Sequence, residues 1–304
     1  MNLRKYLILF IMLSACESLL SQDVIRIWQD TESSKTREVT LKPFLAENNA
    51  DSIGVIVCPG GSYCWLDEVD EGDSVAMWLQ SNGINAFVLK YRTAGFGAFF
   101  WHYRWLFRGN QHPDMISDAQ RALQWVREHA EEYHVDPNKV GMMGFSAGGH
   151  LVMSTACFNQ TNFLAQSGIT TTTNLRPDFV APIYPVVTLT EDCTHKRSRR
   201  GLLGEGRHHN AKMCDSLSLE RHIPENCPPV FLVNCIDDPV VDYHNSILLD
   251  SALTKANVTH KYLQYKTGGH GFGASNIEGS EECHAWKNEF LKWLSEIKLR
   301  QSNL

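Results

Sequence analysis

No two cysteines in this chain stand at C-x-x-C spacing, so a zinc ribbon has no sequence support. There is no surplus of basic residues. Lys and Arg number 28 against 34 Asp and Glu, a net charge of −6 that argues against a nucleic-acid footprint, which needs a clustered basic surface. The one short basic run, Lys196-Arg197-Ser198-Arg199-Arg200, is expected on a loop. Internal repeats, low-complexity tracts and an inter-domain linker are also missing. At 304 residues this leaves one large domain with a well-buried core as the simplest organisation. The nine cysteines lie scattered at 16, 58, 64, 157, 193, 214, 227, 235 and 283. Several fall in predicted core elements, so buried free thiols and disulfides both fit. His208-His209 lacks carboxylate or cysteine partners at ligand spacing, and no metal or other cofactor is expected.

The first residues differ from the rest. Met1-Asn2-Leu3-Arg4-Lys5 is positive, and the apolar run 6–13 is too short to span a bilayer, a pattern that reads as a secretory signal. Leu13-Ser14-Ala15-Cys16 resembles the bacterial lipobox, in which Cys16 is lipidated and attaches the mature chain to a membrane. Cleavage near Ser21, giving a freely secreted protein, is the alternative. Both readings put the mature chain outside the cytoplasm, in the cell envelope (periplasm or outer membrane) or beyond it. Residues 1–21 are therefore set apart from a single domain spanning 22–304.

Within that domain, apolar runs of strand length alternate with segments of helical periodicity. Strands are predicted at 24–28, 53–58, 84–89, 140–143, 179–184, 230–235 and 262–265. Helices are predicted at 74–80, 116–132, 148–157, 243–255 and 281–297. This rhythm predicts an α/β fold: a mostly parallel central sheet with helices on both faces. Two segments break it: the aromatic, Gly-punctuated stretch 93–113 and the polar, turn-rich stretch 188–228. Each follows a strand end, where open α/β sheets bind ligands.

Gly144-Phe145-Ser146-Ala147-Gly148 fits G-x-S-x-G at a strand-to-helix turn, a bend that exposes the serine. A serine hydroxyl attacks at neutral pH only when a base takes its proton and a third group orients that base. The chain supplies both in the order serine, acid, histidine. The strand 230–235 runs into Asp237-Asp238-Pro239-Val240-Val241, and the strand 262–265 into Gly268-Gly269-His270-Gly271-Phe272-Gly273. An acid three residues before the turn-closing valine selects Asp238, with Asp237 as the alternative and a candidate turn-capping residue. Two backbone amides must receive the developing oxyanion. Ala147 supplies one, and Gly61 or Ser62, on the loop after strand 53–58, supplies the other.

Taken together, Pro59-Gly60-Gly61-Ser62-Tyr63, Leu89-Lys90-Tyr91-Arg92, the serine segment through Leu151, and the acid and histidine loops resemble the α/β-hydrolase superfamily. More closely they resemble its branch of bacterial carbohydrate esterases, which includes acetyl xylan and feruloyl esterases. Tyr184-Pro185-Val186-Val187-Thr188 and the segment 194–199 resemble that branch too. The resemblance implies a triad of Ser146, Asp238 and His270, and a substrate that is an acyl ester on a sugar, acetyl being commonest. Three features depart from it: Ser62 where a third glycine is usual, Asp242 where a proline is usual, and a longer aromatic stretch at 93–113. That stretch either stacks on sugar or aryl groups, packs as a lid, or forms a dimer contact. Tyr63, Trp101 and Trp105 are candidate substrate contacts.

Overall fold

A computed structural model describes residues 24–29, 36, 38–100 and 109–301. The expected signal segment with Cys16, and the candidate contacts Trp101 and Trp105, lie outside the described residues.

Among the described residues, eight strands form one sheet in the order β1-β2-β4-β3-β5-β6-β7-β8. These are β1 (Ile25–Arg26), β2 (Thr40–Phe44), β3 (Gly54–Cys58), β4 (Asn85–Lys90), β5 (Val140–Phe145), β6 (Val180–Ile183), β7 (Val230–Cys235) and β8 (His260–Tyr265). From β4 to β8 every pairing is parallel, whereas β1 and β2 add on antiparallel.

The parallel strands read as continuous apolar runs because both faces are covered, and the period of two deals their side chains to opposite layers. Ile56, Phe87, Leu89, Met142 and Leu232 join the core under the helices Asp114–Glu128, Ala147–Cys157 and His244–Lys255. Val55, Val57, Ala86, Val88, Met143, Phe145, Phe231 and Val233 face the helices Ser74–Ser81 and Trp286–Gln301. The helix Asp114–Glu128 shows why such segments fold: Ala119, Ala122, Leu123 and Val126 recur at helical spacing and are all fully buried.

Three elements depart from the sequence expectation. The strand β2 is absent from that expectation, because Thr40-Leu41-Lys42-Pro43-Phe44 carries a lysine and a proline. It forms at the margin, where β1 covers only Thr40 and Leu41, a position that tolerates proline. The basic run at 196–200, expected on a loop, opens the helix Lys196–Leu203 instead. Ser198, Gly201, Leu202 and Leu203 form its buried stripe, so the cations ride on the other side. The predicted helix 281–297 divides at Ala285 into Glu281–His284 and Trp286–Gln301.

Candidate active site

Ser146 sits between β5 and the helix Ala147–Cys157 with φ 52° and ψ −115°, a strained conformation for a non-glycine residue. The bend needs its flanking glycines. A Cβ on Gly144 would lie 2.2 Å from the Gly148 carbonyl oxygen, and one on Gly148 would lie 2.0 Å from that of Cys58. Backbone bonds then stitch the turn to the next strand end: Ser146 N–H donates to Ile183 O at 3.0 Å, and Val186 N–H to Ser146 O at 3.2 Å.

The three side chains named from the sequence converge. Ser146 Oγ lies 3.0 Å from His270 Nε2, and His270 Nδ1 lies 2.6 Å from Asp238 Oδ2. The side chain of Asp238 is 1% exposed and that of His270 12%, while Ser146 is 4% exposed, so the turn expected to expose the serine leaves it shielded along with the rest of the relay. The geometry also separates the two aspartates. Asp238 Oδ1 accepts the amides of Val240 and Val241 at 2.8 and 2.9 Å, which turns Oδ2 toward the imidazole. Asp237 instead accepts the amides of Gly268 and Gly269, at 3.2 and 2.8 Å, and so ties the acid loop to the histidine loop. Each charge-assisted bond of this kind contributes on the order of 1–3 kcal/mol when buried, less where exposed as at Asp237.

Facing Ser146 is the loop after β3. Gly61, Ser62 and Tyr63 all have positive φ, at 125°, 57° and 60°. Two successive left-handed non-glycine residues cost on the order of 1–3 kcal/mol each. Among the described residues the amides of Gly61, Ser62 and Ala147 take no hydrogen-bond partner and remain free to receive an anion. Around them the loop is pinned. Tyr91 Oη donates to Pro59 O at 2.6 Å, and a Cβ on Gly201 would lie 2.3 Å from Ser62 O, so the helix Lys196–Leu203 presses directly on this loop. The excursion 188–228 thereby overlies the strand ends.

Tyr63, expected as a substrate contact, is placed otherwise. It is 1% exposed and its hydroxyl bonds His150 Nδ1 at 2.8 Å, so its ring is part of the core. Burial there also drives His150 down to about 4, so its imidazole is neutral at pH 7.

Three residues near the relay are not among the candidate site residues of the sequence, although Tyr184 and His195 lie in segments that carry the family resemblance. Tyr184, at φ 36°, places its ring 4.6 Å from that of His270. Glu71 lies 3% exposed in a π-helical turn, Glu68–Asp73. His195 caps the basic helix, bonds Ser198 Oγ at 2.8 Å and senses both His270 and Asp238; burial lowers it to about 4. A buried acid in Glu68-Val69-Asp70-Glu71-Gly72-Asp73 is indistinguishable by sequence from a solvated acidic turn.

A serine on a strand-to-helix turn, 4% exposed and in relay with a histidine and an aspartate at the carboxyl ends of a mostly parallel sheet, defines an α/β-hydrolase of the esterase class. Comparison with known proteins agrees. The BD-FAE family matches residues 44–253, and the chain belongs to that family. It is 31% identical over 262 residues to endo-1,4-beta-xylanase B of Butyrivibrio fibrisolvens, covering 83% of this chain and 38% of that protein. It is 30% identical over 239 residues to an acetylxylan esterase of Xylanibacter ruminicola, covering 76% and 43% respectively. The chain thus spans about two fifths of the length of these relatives. Among solved structures, an acetyl ester-xyloside bifunctional hydrolase from Caldicellulosiruptor lactoaceticus is similar at TM-score 0.76 and 28% identity, covering 91% of this chain and 97% of that one.

Proposed function

We propose that this chain is a serine esterase that removes acyl groups, acetyl foremost, from carbohydrate such as xylan or a related glycan. The observation that carries the reading is the Ser146–His270–Asp238 relay, bonded at 3.0 and 2.6 Å beside three unpartnered amides. His270 Nε2 takes the Ser146 proton as Oγ attacks the ester carbonyl. Asp238 holds the resulting imidazolium in orientation, and Ala147 with Gly61 or Ser62 receives the oxyanion. The imidazolium then protonates the leaving sugar oxygen. Water, deprotonated by the same histidine, attacks the acyl-enzyme and releases the acid and Ser146.

The relatives named for acetylxylan and xyloside chemistry support the carbohydrate assignment. Replacing Ser146 with alanine tests the reaction class: p-nitrophenyl acetate turnover is expected to fall at least about 10⁴-fold with the melting temperature retained. An active Ser146→Ala protein would refute the class. Product mass spectrometry over acetylated xylan, feruloyl esters and short peptides tests the substrate, and release of acetate from xylan is the expected result.

A further inference from the structure

The buried carboxylate of Glu71 takes no part in the relay, yet it lies between the two loops that must meet at Ser146. Its Oε2 accepts the Gly60 amide at 2.7 Å, and its Oε1 accepts the Tyr184 hydroxyl at 2.9 Å. That hydroxyl in turn accepts the Gly273 amide at 3.1 Å, three residues beyond His270. Contact is equally tight in the backbone. A Cβ on Gly60 would lie 2.5 Å from Glu71 Oε2 and 2.9 Å from Ser146 Cβ, and one on Gly273 would lie 2.4 Å from Asp70 O. No side chain larger than hydrogen fits at either approach. The π-helical turn therefore acts as a wedge, with the oxyanion loop on one side and the histidine loop on the other. Such turns often occur at functional sites.

We propose that Glu71 is a positioning residue for ester hydrolysis: its carboxylate, through Gly60 and Tyr184, fixes the oxyanion amides relative to the His270 imidazole. The inference rests on the serine-esterase reading above. Glu71 bonds none of the three relay side chains. Both of its bonds come from donors, an arrangement that suits the acceptor-only ionised form. Burial pushes the carboxyl up to about 7, against the pull of His270 and of the bonds from Tyr184 and Gly60, while Asp67 raises it further. The titratable groups that face it are His270, Tyr184, Asp67 and Tyr91.

Two substitutions test this. Glu71→Gln keeps the shape but sets an amide donor against one of the two donors. Tyr184→Phe keeps the ring beside His270 and removes only the bridge. With p-nitrophenyl acetate, Glu71→Gln is expected to lower kcat about 10- to 100-fold with KM within about threefold, and Tyr184→Phe about 5- to 20-fold. The double variant is expected to be no slower than Glu71→Gln alone, because both changes cut the same connection. The acid limb of kcat/KM is expected to steepen toward loss of two protons in the wild type and of one in Glu71→Gln. Wild-type-like kcat in the folded variants, losses that multiply in the double variant, or an unchanged acid limb would each overturn the proposal. If Glu71→Gln does not melt cooperatively, Tyr184→Phe decides alone, and an unchanged kcat there overturns it. The Ser146→Ala control separates the two readings. Turnover in that control refutes the esterase reading itself, whereas a dead control beside a fully active Glu71→Gln refutes only the positioning role.

Discussion

The two sides of Ser146 are made of different materials. On the relay side, side chain meets side chain: serine to imidazole at 3.0 Å, imidazole to carboxylate at 2.6 Å, with Asp237 tying the two supporting loops together. Facing it, the oxyanion side is built of backbone. Gly61, Ser62 and Tyr63 take left-handed conformations, the unpartnered amides of Gly61 and Ser62 are the groups proposed to receive the oxyanion, and neighbours on other elements hold the loop. The first side is specified by residue type and the second by conformation. On the proposed mechanism, damage to the first removes a reagent, whereas damage to the second displaces one.

The largest effect that would sharpen this contrast is expected from Asp238→Asn. It leaves the shape of the relay but not the tautomer of the imidazole, and kcat is expected to fall about 10³- to 10⁴-fold in esterase assays. Next comes Gly201→Ala, which changes no relay residue. Its methyl group would lie 2.3 Å from Ser62 O and drive the oxyanion loop out of place, with a kcat loss of about 10- to 100-fold and the relay intact. A fully active Gly201→Ala protein would break the contrast, because the oxyanion loop would then hold its shape without that neighbour.

Glu71 gives a pH test without turnover. Its folded value of about 7 stands above the ordinary 4.5, so the native state keeps the proton where the unfolded chain has lost it. Its contribution to stability is therefore present below pH 4.5, is lost as pH rises to 7, and is level beyond. Within that window stability falls by about 1.4 kcal/mol for each step of one in pH, so wild type minus Glu71→Gln is expected to change by about 3 kcal/mol in denaturant titrations. The neutral His150 and His195 give the opposite slope, but in both proteins, and cancel in the difference. The smallest effect belongs to Ser62→Gly. Relief of the left-handed serine, offset by the extra freedom of glycine when unfolded, is expected to raise stability by about 1 kcal/mol or less, read as a small rise in Tm.

Legibility follows the same division. The parallel core is readable because strands buried on both faces need unbroken apolar runs. The relay is readable because its residue types sit in glycine-rich segments just past those strands. Even the choice between the aspartates has a local signal: the spacing from Asp238 to Val241 is the turn in which one carboxylate oxygen accepts two amides. What stays hidden depends on distant neighbours. Glu71 is separated from Tyr184 by 113 residues, and nothing near it in the chain announces its burial. The basic run 196–200 masks a helix because its apolar stripe is short and completed only at Leu202 and Leu203. Tyr63 looks available for a ligand because its segment is a turn, yet the turn folds the ring inward onto His150.

Pro43 has a consequence that reaches past this molecule's own surface. Beyond Leu41 the second strand has no strand partner on its outer side among the described residues, and that margin carries a half-exposed lysine and a buried residue without an amide hydrogen. Another copy arriving as an extra strand would meet an incomplete set of donors and the half-exposed ion pair of Lys42 with Asp73. Edges of this kind are poor templates for strand-by-strand addition.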